Sequence, residues 1–260
     1  MKLRTALVCL AAVALAAATP RAQATPPQAP PQVPPGMSTQ TPTIQQQNEQ
    51  ILLELRAIRQ LLERLTTPSA PPRPTTARIS NLKGYSLGSA DAPLTMVEFT
   101  DLQCPFCRQF VLTSFDQIKA NWIDTGKLRY ISRDFPLDIH AQAIPAARAA
   151  RCAGEQGKFW EMRMALMRNA NLLTADYINK TASGLKLDSK PFAACTASSK
   201  YEAEITAEVQ EGMALGVDGT PTFVIGRSTP NGIDGPVLVG ALPYAQFDAK
   251  LKTLLASGTK

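Results

Sequence analysis

Two cysteines stand two residues apart in Cys104-Pro105-Phe106-Cys107. The apolar run Leu94-Thr95-Met96-Val97-Glu98-Phe99 precedes them, and Arg108-Gln109-Phe110-Val111-Leu112 follows. That order predicts a strand, a tight turn and a helix that opens at the cysteines. There, two thiols can close into a small disulfide ring, and the positive end of the helix dipole favours a thiolate on the first. The chemistry this permits is thiol–disulfide exchange, in which a thiolate attacks a sulfur through a mixed disulfide and no cofactor is needed. Cys104 then needs a lowered pKa and access; Cys107 needs proximity and protection. The competing chemistry is metal binding, with Cys104 and Cys107 as thiolate ligands for zinc or copper. His140 is the only histidine, which excludes Cys₂His₂ and histidine metal sites, and no metal site is expected.

The compartment bears on what the cysteines can do. Lys2 and Arg4 are followed by an apolar run from Ala6 to Ala18, and Ala22-Gln23-Ala24 offers a small-x-small cleavage site. The run is short for a membrane span and reads as a signal peptide over residues 1–24, which implies a periplasmic or secreted protein. Cys9 follows Val8 inside the run, too early for a lipid-attachment site. Removing the leader leaves Cys104, Cys107, Cys152 and Cys195, and an even count in an exported protein suggests disulfides. Four cysteines permit three pairings; adjacency favours 104–107 with 152–195. The formal charge of +6 falls to +3 without Lys2, Arg4 and Arg21. No basic stripe interleaved with aromatics is visible, so nucleic acid is not an expected partner.

The elements that must position the cysteines come later in the chain. Residues 25–43, rich in Pro, Gln, Thr and Ala, should form a disordered tether. Residues 44–66 carry Ile44, Ile51, Ile58 and Leu65 every seven residues, with Asn48, Leu55 and Leu62 between them. Set as d and a positions, they make about three heptads, and Leu at a with Ile at d favours more than two strands. This predicts an oligomerisation helix giving a homo-trimer or tetramer, against the plainer alternative of an amphipathic helix docked on its own domain. Residues 67–78 are a second Pro-rich linker, and the globular domain is expected over 79–260. Within it, Gly84 to Pro93 reads as loop, Leu94 to Thr100 as a strand buried on both faces, and Pro105 to Asp124 as a helix ended by Gly126. Leu128 to Phe135 is a second strand. A helical block of about four helices covers roughly 140–215, with breaks at Gly154, Gly157, Gly184, Pro191 and Gly212. Thr222–Ile225, Val237–Val239 and a closing helix complete an α/β layer.

Glu98-Phe99-Thr100-Asp101-Leu102-Gln103-Cys104-Pro105-Phe106-Cys107, followed after the helical block by Gly219-Thr220-Pro221-Thr222-Phe223-Val224, resembles the DsbA-like family of thiol:disulfide oxidoreductases. The resemblance runs from about residue 80 to 257. It implies a thioredoxin fold with an inserted helical domain, preceded here by the tether and the coiled-coil-like helix. It also implies that Cys104 is the exposed nucleophile and Cys107 the resolving thiol. Pro221 matches the family's cis-proline facing the disulfide, and the backbone of Thr220 would pair with an extended substrate segment. Pro105 and Phe106 would border that segment. Glu98 matches a buried acid beneath the cysteines that helps move a proton to or from the buried thiol, and burial would penalise its charged form. A second disulfide, Cys152 to Cys195, is implied in the helical block; it closes a loop of about 43 residues, worth roughly 4 kcal/mol on the chain-entropy model. The implied partners are extracytoplasmic client proteins and a membrane or periplasmic redox partner.

The best-known member of that family carries His where this chain has Phe106. A phenyl ring cannot carry charge, so the expected Cys104 is less acidic and the disulfide less oxidising than in that member. Isomerase or reductase work therefore stands beside dithiol oxidation. His140, in Phe135-Pro136-Leu137-Asp138-Ile139-His140, has two readings: a groove residue near the cysteines, or a surface or helix-capping side chain. Asp101 reads as loop. Met162, Met164, Met167 and Phe159 read as core packing.

Overall fold

A computed structural model describes residues 43–66 and 74–257. The expected leader and almost all of the tether lie outside the described residues, as do residues 67–73 of the second linker. The chain divides into two units, Met1–Pro68 and Ser69–Lys260.

In the first unit, α1 (Ile44–Thr66) is a single helix, opened by Thr43, whose Oγ1 accepts from the Gln46 backbone N–H at 3.3 Å. Ile44, Ile51, Leu52, Leu55 and Ile58 are all exposed. No described helix is long and apolar enough to cross a membrane.

The second unit is built on a six-stranded sheet in the order β1-β6-β5-β3-β4-β2. Its strands are β1 (Thr76–Ile79), β2 (Ser86–Leu87), β3 (Leu94–Thr100), β4 (Leu128–Asp134), β5 (Thr222–Arg227) and β6 (Ile233–Val239). β3 pairs in parallel with β4 and antiparallel with β5, and all seven of its residues are buried. A central strand covered on both faces must read as apolar, which is why Leu94–Thr100 was legible. β1 and β2 were not: they are short and lie among Pro, Gly and Ser. β1 nevertheless pairs with β6 from Thr76↔Pro236 to Ile79↔Ile233, and Ile79 is almost fully buried.

After β3 the chain turns into α2 (Pro105–Phe110), with Pro105 in the first turn, where its missing N–H costs nothing. The helix continues through π turns at Val111–Phe115 and Lys119–Ile123, with α3 (Asp116–Ile118) between them. The five-residue step from Phe110 to Phe115 suits a π turn and brings the two ring centroids to 6.1 Å. Gly126, at φ +74°, ends this stretch in a conformation that disfavours other residues. Phe110 packs against Phe223 of β5 and Phe247 of the last helix, with centroids 4.6 and 5.4 Å away.

The helical block contains five α-helices: α4 (Ala143–Gly154), α5 (Phe159–Arg168), α6 (Ala175–Gly184), α7 (Ser189–Thr196) and α8 (Glu202–Ala214). A final helix, α9 (Tyr244–Ala256), covers β5. Two expected breaks are not breaks. Pro191 sits in the first turn of α7, where proline is tolerated. Gly212 lies within α8 because a Cβ there would come within 2.7 Å of the Phe135 ring; the missing side chain lets the helix lie against Phe135 and Phe99. Met162 and Met167 are buried, as core packing requires. The block is tied to the sheet by charge as well: Arg151 of α4 bonds Asp134 of β4 at 2.6 Å and Glu208 of α8 at 2.7 Å.

Candidate active site

Cys104 caps the N-terminus of α2. Its N–H donates to the Asp101 carbonyl at 3.1 Å, and its own carbonyl accepts from Arg108 N at 3.0 Å. Its Sγ donates to the Thr220 carbonyl at 3.4 Å, across the gap between the ends of β3 and β5. Cys104 and Cys107 are not bonded to each other in this structure.

The two thiols are pushed in opposite directions. A hydrogen bond from Cys107 is the largest influence on Cys104; burial opposes it, while Thr220 and the backbone N–H groups of Cys107 and Phe106 assist. The result is a thiol pulled from the usual 9.0 to about 6, so that it is largely thiolate at neutral pH. Cys107 is fully buried, and burial pushes it well above the ordinary thiol range; its bond to Cys104 and the Glu98 charge push the same way. One sulfur is prepared to attack and the other is held protonated.

Cys104 was expected to be exposed, but it is only 3% accessible. Its neighbours fold over it and leave it in the wall of a groove of about 440 Å³. Pro105, Phe106, Leu137, Ile139 and Val239 make the wall mostly apolar, and Thr220 closes the side facing the sulfur. Phe106 contributes no core packing: it is 60% exposed at the rim, while Ile139 is 83% exposed. The Thr220–Pro221 peptide is cis. The Thr220 Oγ1 is buried without a hydrogen-bond partner among the described residues, and the Pro221 carbonyl accepts from Gly240 N at 2.8 Å.

Glu98 lies in the middle of β3 and is fully buried. One of its oxygens pairs with the Arg163 guanidinium and accepts from the Tyr130 hydroxyl; the other has no hydrogen-bond partner among the described residues. Arg163 comes from α5 and also bonds Ser132 Oγ at 3.0 Å. Burial, with the Glu98 charge beside it, pushes the Tyr130 phenol well above its usual range. The burial expected of Glu98 from the sequence carries no partner for its charge. The structure answers that burial with an ion pair, and the residue that supplies it, Arg163, was missed. The available signal was an arginine set between Met162 and Met164 within α5.

Asp101 was also missed. It is buried, and its carboxylate collects three N–H groups: Gln103 N at 2.7 Å, Leu137 N at 2.9 Å and His140 Nδ1 at 2.7 Å. Gln103 Oε1 accepts from Gln142 N at 2.6 Å. The loop over 135–142 is thereby fastened to the turn before Cys104, and His140 lines the groove. Cys152 of α4 and Cys195 of α7 are bonded, with Cα atoms 5.8 Å apart. Among the described residues no third side chain of metal-ligating type gathers with Cys104 and Cys107.

A β3–turn–α2 unit with a paired thiolate and buried thiol, closed by a cis-proline and carrying a helical insertion, defines a thioredoxin-fold redox protein. The family model described as thioredoxin matches residues 80–233. Among solved structures, the chain is similar to alpha-DsbA1 of Wolbachia pipientis: 25% identity, TM-score 0.61, covering 66% of this chain and 90% of that one. Oxidised BdbD of Bacillus subtilis shares the fold at 20% identity and TM-score 0.57, covering 66% of this chain and 92% of that one. Among curated relatives, the Na(+)/H(+) antiporter NhaA 1 of Mycolicibacterium gilvum is 33% identical over 187 residues, 69% of this chain. The chain spans only 30% of that relative's length. The chain belongs to the thioredoxin family, and its fold is that of the DsbA-like thiol:disulfide oxidoreductases.

Proposed function

We propose that this protein exchanges disulfides with cysteine-bearing proteins outside the cytoplasm, working as a dithiol oxidase. The observation that carries the reading is the split pair: Cys104 drawn down to about 6 beside a buried Cys107 held up. A substrate thiolate attacks Cys104 Sγ of the oxidised site, the Cys104–Cys107 bond breaks, and the electron pair goes to Cys107. A second substrate thiolate then attacks the substrate sulfur of the mixed disulfide and releases Cys104 as a thiolate. Two electrons pass to the protein, and an extracytoplasmic or membrane redox partner removes them. In this reading residues 1–24 are a leader cleaved near Ala24, 25–43 is a linker, the second linker ends before Thr76, and the exchange domain begins with β1 rather than at Ile79. Thr220 and Pro221 bind the substrate backbone, Pro105 and Phe106 border it, Glu98 serves proton movement at Cys107, and the Cys152–Cys195 bond is structural. The test is oxidation of a reduced dithiol peptide by the oxidised protein. Cys104→Ser should abolish it, and an active Cys104→Ser protein would sink the reading.

A second reading, an oligomeric isomerase or reductase, is favoured by one observation: Ile44, Ile51, Leu52, Leu55 and Ile58 of α1 stand exposed along one helix. Buried between copies of itself, that face would join three or four exchange sites. Refolding of scrambled ribonuclease, with and without residues 44–66, separates the two readings.

A further inference from the structure

His140 and Cys104 open onto the same groove, and one residue positions both. The Asp101 carbonyl receives the Cys104 N–H, while its carboxylate holds His140 Nδ1 at 2.7 Å. An ionised carboxylate only accepts hydrogen bonds, and this one already receives Gln103 N and Leu137 N. The proton of that contact therefore sits on Nδ1, so the ring nitrogen left to exchange a proton with the groove is Nε2. No hydrogen-bond partner takes Nε2 among the described residues. A buried carboxylate that fixes the tautomer and aim of an imidazole is the arrangement that prepares a base for a neighbouring nucleophile.

The titratable groups around the groove are Cys104, Asp218 and His140, with Asp101 behind the ring and Asp138 on the same loop. A carboxylate is intrinsically a far weaker base than an imidazole, and Cys104 is consumed in the disulfide before the first step. The incoming substrate thiol has an ordinary value near 8.5 and is mostly protonated at neutral pH. It must lose that proton inside an apolar groove.

We propose that His140 is the general base of the exchange step, taking the proton from the substrate thiol as that sulfur attacks Cys104. The proposal rests on the thiol-exchange reading above. The substrate S–H proton moves to His140 Nε2, and the substrate sulfur bonds Cys104 Sγ. The Cys104–Cys107 bond breaks and Cys107 receives the electron pair. Its proton reaches it from the solvent proton pool through the Glu98 route of the proposed function, and the imidazolium later returns its proton to solvent. In the reverse direction the imidazolium returns the proton to the departing substrate thiolate.

The test is stopped-flow oxidation of an aliphatic dithiol peptide by the oxidised full-length protein and its His140→Gln variant. At pH 7 the variant should be slower by about tenfold or more. At pH 9.5, where the peptide thiol ionises unaided, the two should agree within about twofold. Thionitrobenzoate, a thiolate already ionised at pH 7, should react with both equally well. An equal loss at both pH values, a loss with thionitrobenzoate, or no loss at pH 7 overturns the proposal. A wild-type protein that oxidises no dithiol peptide overturns the thiol-exchange reading and the proposal together. The unaltered protein gives a second measurement should the variant misfold. With a base in the groove, its rate should rise less steeply between pH 6.5 and 8 than the substrate thiolate fraction does. A rise in strict proportion to the substrate thiolate overturns the proposal.

Discussion

Arg163 of α5 closes its guanidinium on the Glu98 carboxylate of β3, and both side chains are essentially inaccessible to water. The helical insertion thus reaches into the centre of the sheet, beneath the active-site cysteines. A buried ion pair of this kind adds little over an apolar pair of the same shape, but breaking it strands a charge.

Removing one partner should therefore cost more than removing both. Arg163→Met is expected to lower stability by about 3–5 kcal/mol, and Arg163→Met with Glu98→Leu to recover most of the loss. Urea denaturation of the reduced proteins measures both. A single variant that loses less than about 1 kcal/mol would show the pair to be solvated.

Glu98 should also act on the buried thiol. Its charge is one of the influences that raise Cys107, after burial and the bond to Cys104. In a Cys104→Ser background, Glu98→Gln should shift the pH midpoint of Cys107 alkylation downward. An upward shift would contradict the stated sign.

Cys104 sets a pH window. Its folded value, about 6, lies below the ordinary 9.0, so ionisation stabilises the folded, reduced protein. That contribution is full above pH 9 and shrinks as pH falls toward about 6, where it is gone. The oxidised protein has no such thiolate and should lack this dependence. Iodoacetamide alkylation should give a midpoint near 6. This lies between the thiols of thioredoxin, at about 7, and DsbA, at about 3.5, so the reduction potential should lie between about −270 and −120 mV. Equilibration with glutathione reads it, and a value at the DsbA end would remove the argument from Phe106.

The amino terminus of the exchange domain can be tested by truncation. A chain beginning at Pro74 keeps β1; one beginning at Ser80 loses it and exposes the β6 edge that pairs with Thr76–Ile79. The shorter chain also loses the buried Ile79, worth about 1.5–3 kcal/mol of burial. It should unfold at lower urea, while the chain from Pro74 should match the full-length protein in dithiol oxidation. Both should be monomers in light scattering if α1 is the oligomerisation element, and a monomeric full-length protein would refute that role.

The legible parts of this molecule are those whose signal is local. Cys104 and Cys107 announce themselves by spacing, β3 by an unbroken apolar run, and Thr220–Pro221 by motif. What was missed depends on distance. Asp101 meets His140 across 39 residues, and Glu98 meets Arg163 across 65, so neither partner marks the other in the chain. Phe106, expected to border the substrate segment, stands in the first turn of α2 at the groove rim. β1 and β2 are strands only because a longer strand lies beside each.

The register of β3 and β5 has one more implication. Phe99 pairs with Thr222, so the chain leaves β3 toward Cys104 beside the point where it arrives at β5 from Thr220. The two reacting surfaces meet one ladder spacing apart although 116 residues separate them in sequence. The connections between the inserted helices can lengthen, shorten or be rebuilt without moving the sulfur relative to the carbonyl it faces, as long as β4, the 135–142 loop and Arg163 keep their places. The architecture therefore separates invention from chemistry: new recognition surfaces can be grown in the intervening helices while the exchange reaction stays fixed at the strand ends.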